Sequence, residues 1–301
     1  MKIVITGCRG QLGNELRRLL ETGTAEIGPI PEAYRGAEVT YADVHQLDIT
    51  DAEAVRAYVA ERQPDLLVNC AAMTNVDGCE KMEDVAYRVN AEGPANLARA
   101  CSAHGCKLVH VSTDYVFPGT EPGERVEGDK TGPLSAYGRT KLAGERLALE
   151  ANPRTFVVRT AWLYGYVGKN FVKTMLRLAR ELGHMTVVDD QLGNPTSAND
   201  LAYEILKLAL TDGYGIYHCT NVGTCSWAEF TRTIVAGAGY DPSIVTPCTS
   251  DEYAEAHPDA ARRPLFSSLR NLHLEQTIGN EMRPWQDALA TYLKNLPQLE
   301  G

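Results

Sequence analysis

The sequence predicts an α/β fold with a doubly wound parallel sheet and a smaller C-terminal lobe. In the first half of the chain, short continuous apolar stretches alternate with amphipathic helical stretches, and the loops between them are short. This alternation is typical of parallel strands covered by helices on both faces. The 301 residues, 44% of them hydrophobic and 23% charged, suffice for one such unit with its own core.

The first predicted unit is a strand, a turn and a helix. The apolar segment KIVIT is the strand, and the glycine-rich segment GCRGQLG is the turn. The segment NELRRLL continues a helical spacing of leucines from Leu12 to Leu20. The order strand, glycine turn and helix is the usual beginning of a parallel α/β sheet.

The second helix is predicted to begin with a capping box. Thr50 is followed three residues later by Glu53, so each side chain can bond the other residue's backbone amide. Pro64 ends this helix because it has no amide hydrogen to donate.

The remaining elements of the first half follow the same alternation. Residues 84–104 are predicted to be mainly helical, with a bend at Gly93-Pro94. AYGRTKLAGERLALE is a further helix, and the predicted strands are DLLVNCAA, KLVHVST and TFVVRTAW.

Composition and charge exclude several classes of partner. The net charge of −10 disfavours nucleic acid and anionic lipid, and no apolar run approaches the ~20 residues that cross a bilayer. MKIVITG is too short for a signal-peptide core, and the eight cysteines show neither Cys-x-x-Cys nor zinc spacing. We therefore expect a cytoplasmic protein with reduced cysteines.

The glycine turn predicts a dinucleotide site. Gly7 allows a tight turn, Gly10 lets a pyrophosphate approach the backbone, and Gly13 lets the helix pack on the strand. The helix N-terminus then faces the phosphates. The spacing G-x-x-G-x-x-G favours a Rossmann-like fold of the short-chain dehydrogenase type over the usual G-x-G-x-x-G form.

Two side chains give opposite indications about the dinucleotide. Asp43, near the end of the second strand, would bind the adenosine ribose hydroxyls and favour NADH. Arg9, inside the glycine turn, would bind a 2′-phosphate and favour NADPH. Asp48 and Ile49 are candidates for the adenine edge. The choice between NADPH and NADH stays open.

These features predict two domains. Residues 1–161 would form the dinucleotide-binding domain. Beyond residue 162 the alternation loosens, and Pro and Gly become frequent. We expect residues 162–301 to form mainly a substrate-binding lobe, with some segments returning to the first domain.

A Tyr–Lys pair one helical turn apart predicts carbonyl reduction. Tyr137 and Lys141 project from one helix face, and an ammonium beside a phenol is expected to lower the phenol's pKa. The same lysine can reach the ribose of a nicotinamide cofactor. A second copy of this spacing, Tyr203 and Lys207, follows no strand with a polar end and is assigned to an ordinary amphipathic helix.

The strand KLVHVST ends in two hydroxyl groups ahead of this pair. Ligands bind at the carboxyl edge of a parallel sheet, where Ser112 and Thr113 would lie. Thr113 can donate a hydrogen bond to the same carbonyl oxygen that Tyr137 would protonate. Asn90 has two equally supported roles: it organises a water near Lys141, or it is an internal partner of a helix bend.

Together these segments resemble the extended short-chain dehydrogenase/reductase family, and within it the dTDP-4-dehydrorhamnose reductases. STDYVF combined with RTAWLYG and DQLGNPT is the narrowest part of the likeness. The similarity runs over nearly the whole chain, in GCRGQLG, LDITD, NCAAMTNVDGCE, STDYVFPG, YGRTKLAGE, RTAWLYG, NFVKTMLRLA, DDQLGNPT, GIYHCTNVGTCSWAEF and RRPLFSSL.

The resemblance implies reduction of the 4-keto group of dTDP-4-dehydro-L-rhamnose with NADPH or NADH, in nucleotide-sugar and cell-surface polysaccharide biosynthesis. It places the catalytic trio on Thr113, Tyr137 and Lys141. Its substrate contacts fall on Thr113, Asp114, Trp162 and Asn170. The cofactor contacts that the resemblance implies are Gly10, Gln11, Leu12, Asp43, Asp48, Ile49, Ala72, Met73 and Thr74. Gly7, Gly13, Tyr137 and Lys141 are expected to contact the cofactor as well.

The resemblance leaves two further functions and a metal as alternatives. A non-catalytic regulatory or binding member has the same fold, and an epimerase or dehydratase acts on other nucleotide sugars. Tyr115 stands where dehydratases have a glutamate, which favours a simple reductase. Some members carry Mg²⁺ on glutamates at a dimer contact; Glu15 matches one such position, but Asn199 and Asp200 stand where those members have glutamate. We therefore expect no metal ligands, a monomer or homodimer, and a nucleotide sugar as the partner.

Overall fold

A computed structural model describes residues 1–258 and 260–299, with side chains up to residue 296 in the last helix. The strands are β1 (Lys2–Thr6), β2 (Glu38–Ala42), β3 (Leu66–Asn69), β4 (Lys107–Thr113), β5 (Thr155–Thr160), β6 (Leu163–Tyr164), β7 (Met185–Val188), β8 (Leu192–Gly193), β9 (Thr196–Ser197), β10 (Gly215–His218), β11 (Cys225–Ser226) and β12 (Val245–Cys248).

Helices connect most of these strands. They are α1 (Gln11–Thr22), α2 (Ala52–Arg62), α3 (Val76–Lys81), α4 (Glu83–Tyr87), α5 (Gly93–Ala103), α6 (Ala136–Ala151), α7 (Phe171–Leu182), α8 (Ala198–Ala209), α9 (Trp227–Gly237), α10 (Ser250–Ala256), α11 (Leu272–Thr277) and α12 (Trp285–Leu299). A π-helical turn, Arg88–Glu92, joins α4 to α5, and a 3-10 turn, Asp114–Val116, follows β4.

The central sheet has six parallel strands within the described residues, in the order β10-β5-β4-β3-β1-β2. Every residue of β3 and of β5 is buried, because helices cover both faces. This explains the continuous apolar stretches in the sequence. The predicted doubly wound α/β fold is confirmed.

The strand order places a cleft above β1 and β3. From β1 the chain moves outward to β2 and then returns to β3 on the other side of β1. Connections to opposite sides leave a crevice outside the carboxyl ends of the strands, where ligands bind in such sheets. The glycine turn and the loop after β3 meet there.

The three largest of five apolar clusters make up most of the core of the described residues. One packs α1 and α8 against one face of the sheet, through Leu16 and Ile205 among others. Another packs α2 and α5 on the opposite face, through Val59 and Leu97. Full burial of one such aliphatic side chain contributes about 1.5–3 kcal/mol. The third cluster lies in the C-terminal half and centres on Phe230.

Some segments of the C-terminal half pack in or on the central sheet, and others form a separate region. β10 pairs with β5 in the central sheet, and α8 packs on α1. Strands β6 and β9 instead form a two-stranded pair beside α8 and α12, and the pairs β7–β12 and β8–β11 lie beside α9. The boundary after residue 161 stays a prediction, and residues 259, 300 and 301 of the expected lobe lie outside the described residues.

The predicted capping box at the start of α2 is wrong. Asp51 is the N-cap, and its Oδ1 accepts hydrogen bonds from the amides of Glu53 (3.0 Å) and Ala54 (2.9 Å). The Thr50 hydroxyl instead donates to Asp48 Oδ1 over 2.8 Å. A carboxylate at the N-cap is favoured by the free amides and by the helix dipole.

The irregularity predicted near Gly93-Pro94 is the π-helical turn directly before it. Pro94 has no amide hydrogen, so it cannot bond the Asn90 carbonyl four residues earlier. A Cβ on Gly144 of α6 would lie 2.0 Å from the Asn90 carbonyl oxygen, so α6 and the π-helical turn are in close contact here.

Among the described residues, none of the helices combines the length and the apolar character that a membrane-spanning helix needs.

Candidate active site

The glycine turn after β1 is built for close backbone packing. Gly7 has φ +64°, and a Cβ there would lie 2.6 Å from the Ala71 amide nitrogen in the loop after β3. A Cβ on Gly13 would lie 2.5 Å from the Gly7 carbonyl oxygen. Gly10 is the N-cap of α1 and provides no side-chain cap, so the first amides of α1 are left for a ligand.

A cleft of about 480 Å³ runs from this turn to the end of β4. Arg9, Ser112 and Thr160 also line it. Of the site residues expected from the sequence, the cleft is lined by Gly10, Gln11, Leu12, Gly13, Ala72, Thr74, Thr113, Asp114, Tyr137, Lys141 and Trp162. The chain thus brings the expected cofactor end and the expected catalytic end onto one surface.

Asp43 and Arg9 are neighbours at the edge of the glycine turn. Asp43 directly follows β2, and its carboxylate accepts hydrogen bonds from the amides of Arg9 (3.3 Å) and Val44 (2.8 Å). The Arg9 residue is exposed. The backbone of Arg9 and the carboxylate of Asp43 are therefore in contact, and the part of each side chain in the choice of cofactor stays a prediction.

Asp48, Ile49 and Met73 are not among the residues that line the cleft, and their contacts with a cofactor stay predictions. Asp48 is exposed, while Ile49 is buried, and a Cβ on Gly93 would lie 2.6 Å from its Cδ1. The backbone of Met73 is held by Asn90, whose Oδ1 accepts from the Met73 amide (2.8 Å) and whose Nδ2 donates to the Met73 carbonyl (3.0 Å).

Asn90 is accordingly an internal partner at the helix irregularity. It is fully buried in the π-helical turn and also donates from Nδ2 to the Thr140 hydroxyl over 3.2 Å. Its bonds fix the Met73 segment after β3 against α6. Of its two expected roles, the described contacts match the structural one.

Tyr137 and Lys141 both line the cleft from α6. Burial raises the pKa of Tyr137, while a hydrogen bond with Thr113 acts against the rise. The pKa of Tyr137 is thus raised in this structure, whereas the sequence predicted that it would be lowered. Burial lowers the pKa of Lys141 to about 8, and Nζ donates to the Val111 carbonyl over 2.6 Å.

Thr113 and Asp114 form a pair at the end of β4. The Thr113 hydroxyl donates to Asp114 Oδ1 over 2.8 Å and also accepts from the Tyr115 amide. Burial raises the pKa of Asp114 to about 6, although the hydrogen bonds of Thr113 and Ser267 oppose that rise. An acidic group with such a pKa near the cleft is a functional candidate.

Trp162 and Asn170 differ in their access to the cleft. Trp162 is half-buried, lines the cleft and stacks on Trp227. Asn170 is the N-cap of α7: its Oδ1 accepts from the Lys173 amide (3.0 Å), and its Nδ2 donates to the Gly165 carbonyl (2.7 Å). Its described contacts are structural, and its substrate role stays a prediction.

The surroundings of Glu15 do not fit a divalent cation. Asn199 Nδ2 donates to Glu15 Oε2 over 2.9 Å, and Arg18 Nη2 donates to the same oxygen over 2.8 Å. Amide and guanidinium donors occupy Oε2 of the carboxylate, and the nearby guanidinium would repel a cation. No group of three or more His, Cys, Asp or Glu side chains within the described residues could hold a metal.

Sequence reasoning missed Thr160, which lines the cleft beside Trp162. Thr160 is the register partner of Thr113 across β4 and β5. The alignment of the two strand ends could have shown it, because both strands end in a threonine. Register across parallel strands, however, is set by the packed sheet and not by local sequence.

Comparisons with known proteins agree with this geometry. The RmlD substrate binding domain family matches residues 1–298. A dTDP-4-dehydrorhamnose reductase of Streptomyces griseus is 44% identical over 304 residues, which cover 99% of this chain and 94% of that protein.

Two solved structures are similar over their whole length. A dTDP-4-dehydrorhamnose reductase of Clostridium acetobutylicum superposes with a TM-score of 0.91 at 44% identity, covering 99% of this chain and 100% of that one. The Bacillus anthracis enzyme in complex with NADP has a TM-score of 0.90 at 38% identity, covering 98% and 99%. The chain therefore belongs to the RmlD substrate binding domain family.

Proposed function

We propose that the chain reduces the 4-keto group of dTDP-4-dehydro-L-rhamnose to dTDP-L-rhamnose with NADPH or NADH. The observation that carries the proposal is the cleft itself, which Thr113, Tyr137 and Lys141 line at one end and the glycine turn lines at the other. The full-length likeness to proteins named as reductases of this substrate supports the choice of sugar and nucleotide.

The glycine turn fits a dinucleotide. The amides of Gln11 and Leu12, at the start of α1, would bind the pyrophosphate. Asp43 or Arg9 would bind the adenosine end, and Lys141 the nicotinamide ribose. When bound, NAD(P)H supplies the hydride that reduces C4. The bound NADP of the B. anthracis relative supports this cofactor class.

Tyr137 would donate the proton. Because burial raises its pKa, the phenol is protonated at neutral pH and available as a donor. As C4 is reduced, negative charge develops on O4, the phenol O–H bond breaks and the O4–H bond forms. Lys141 would stabilise the phenolate that is left.

Thr113 would orient the carbonyl. Its hydroxyl donates to Asp114 in this structure, and rotation about a single bond would redirect it to O4. Asp114 can then accept a hydrogen bond from a sugar hydroxyl. Trp162 would pack its apolar face on the sugar, since saturated rings expose C–H groups on one side.

The two alternative functions, a dehydratase and a regulatory protein, make different demands on the residues of the cleft. A dehydratase needs a further acid and base, and at the position after Asp114 this chain has Tyr115, whose pKa burial raises. A phenol held neutral is a poor base. A purely regulatory member would need neither Tyr137 nor Lys141 at the cleft.

A substrate panel tests the proposal. Purified protein is mixed with NADPH or NADH and with dTDP-4-dehydro-L-rhamnose, its UDP counterpart or dTDP-4-keto-6-deoxy-D-glucose. We expect loss of absorbance at the nicotinamide band and formation of dTDP-L-rhamnose with the first sugar. Cofactor binding without any oxidation would favour the regulatory alternative.

Location and assembly belong to the same proposal. We infer a cytoplasmic enzyme of nucleotide-sugar and polysaccharide biosynthesis, acting as a monomer or homodimer. Cell fractionation and sedimentation of the purified chain test these two points.

A further inference from the structure

A buried ion pair lies behind the catalytic end of β4. Glu145 of α6 and Arg159 of β5 have side chains that are 1% and 2% exposed. Arg159 donates from Nε to Glu145 Oε1 (2.9 Å) and from Nη2 to Glu145 Oε2 (2.7 Å). Replacing a buried pair by apolar side chains is often neutral or stabilising, so its presence calls for a reason other than stability.

The pair holds the residue next to Thr113. Ser112 Oγ donates to Glu145 Oε1 over 2.5 Å, and Ser112 is the register partner of Arg159. Ser112 is buried and lines the cleft. The end of β4 is thus tied both to the neighbouring strand and to the helix that carries Tyr137.

Glu145 also lies one helical turn after Lys141. Side chains four residues apart share a helix face, so the carboxylate is directed to the same side as the amine. Lys141 is 2% exposed, and burial lowers its pKa to about 8, whereas the Glu145 carboxylate acts in the opposite direction.

The other groups that face Lys141 bring no negative charge at neutral pH. Burial raises the pKa of Cys70, in the loop after β3, to about 12. Burial and Lys141 itself lower the pKa of His110 on β4. Tyr137, on the same helix, has a raised pKa. Asp114 lines the same cleft and is ionised at neutral pH, but the carboxylate that acts on Lys141 and supports its ammonium is that of Glu145.

The charged partner of Arg159 is Glu145. Its Nη1 lies 3.4 Å from Nε2 of His218 on β10, and burial lowers the pKa of His218 to about 3. The imidazole is neutral and its Nδ1 lies 3.1 Å from the Arg125 carbonyl. Because His218 is neutral, it places no second positive charge beside the guanidinium, and Glu145 is the charged partner of Arg159.

We propose that Glu145, held by Arg159 and Ser112, is a positioning residue of the reductase site that keeps Lys141 in its ammonium form and fixes the strand end carrying Thr113. This rests on the proposed function, since the reaction uses both residues. It predicts two separable effects: one on the charge of Lys141 and one on the geometry of Thr113.

The charge effect is tested by the pH dependence of kcat/KM. Lys141→Arg, whose guanidinium does not titrate, first assigns the alkaline limb to Lys141. Glu145→Gln combined with Arg159→Met removes both charges and leaves neither buried alone. We expect its alkaline limb to move to lower pH by about one unit, and the pH dependence of NADPH binding to shift equally. Glu150→Gln, an exposed position on the same helix, should leave the profile unchanged.

The geometric effect is tested by Ser112→Ala, which keeps the carboxylate. Its kcat should fall about tenfold while the alkaline limb stays at the wild-type pH. If the folded double variant keeps the wild-type alkaline limb and the wild-type pH dependence of NADPH binding, Glu145 does not maintain the charge of Lys141. If Ser112→Ala keeps the wild-type kcat, the bond from Ser112 to Glu145 does not position Thr113. If the wild-type chain binds NADPH but shows no turnover, the proposed function is contradicted. The pH dependence of NADPH binding then still tests the effect of Glu145 on Lys141.

Discussion

The indole of Trp162 stacks on the indole of Trp227, with ring centroids 3.4 Å apart and planes 6° apart. Trp162 has φ +47°, and a Cβ on Gly193 would lie 2.4 Å from its Cε2. A positive φ is uncommon for a bulky residue and persists only where the surroundings hold it. The ring that faces the cleft is therefore oriented by the C-terminal half, although it follows a strand of the central sheet.

We expect Trp227→Ala to raise the KM for the nucleotide sugar about tenfold while NADPH affinity stays unchanged. Removing the stacked partner frees Trp162 to leave its position, but the glycine turn lies at the other end of the cleft. Steady-state kinetics and NADPH titration measure the two effects. If KM does not change, Trp162 does not contact the sugar.

Gly13→Ala should weaken both folding and cofactor binding. Its Cβ would lie 2.5 Å from the Gly7 oxygen and 2.7 Å from the Cys8 Cα, and backbone atoms cannot move aside as a flexible side chain can. Such overpacking costs about 1–3 kcal/mol, or several degrees in Tm. Gly28→Ala is the control, since nothing lies within 4 Å of its Cβ. Equal Tm values for the two variants would contradict the close packing of α1 on the turn.

Tyr137→Phe should lower kcat by about 10²- to 10⁴-fold and leave the NADPH dissociation constant within a factor of two or three of the wild-type value. Only the proton donor is removed, and the ring remains. Tyr203→Phe, at the other Tyr-x-x-x-Lys copy, is the control and should keep wild-type activity. Retained turnover in Tyr137→Phe would assign proton donation to another group.

Asp43→Asn should weaken NADH more than NADPH, and Arg9→Ala should weaken NADPH more than NADH. The first removes an acceptor for ribose hydroxyls, and the second removes a donor for a 2′-phosphate. Dissociation constants for both cofactors and both variants measure this. A uniform loss for either variant would remove that residue from cofactor discrimination.

Asp114 should make stability depend on pH. Burial raises its pKa to about 6 in the folded chain, above the value of about 4 expected in an unfolded chain. Its contribution is therefore fully present below pH 4 and is lost as pH rises to 6, on the order of 3 kcal/mol in total.

Asp114→Asn, which does not titrate, should lack this decline. The difference in free energy of unfolding between wild type and variant, measured by urea titration from pH 4 to pH 7, isolates it from the other carboxylates. A difference that is independent of pH would mean that Asp114 has an ordinary pKa.

The sequence by itself determined most of the order of strands and helices through residue 160, because apolar stretches, glycine spacing and helix periodicity are local properties. It also placed Tyr137, Lys141 and Thr113 at the cleft, since strand ends of a parallel sheet share one edge. It missed the short helix α3. The cap of α2 was wrong because Thr50 and Asp51 both qualify locally. In the structure the Thr50 hydroxyl bonds Asp48, and the Asp51 carboxylate accepts from the first helical amides.

Tertiary structure decided the properties that depend on burial and register. The sequence contains Tyr-x-x-x-Lys twice. In the packed chain Tyr137 and Lys141 line the cleft, whereas Lys207 of the second copy pairs with Glu204 and Glu281. The direction of the Tyr137 pKa shift was also mispredicted, because burial of the phenol in the packed structure raises its pKa. The bond from Ser112 to Glu145 joins residues 33 positions apart, a contact that no local pattern encodes.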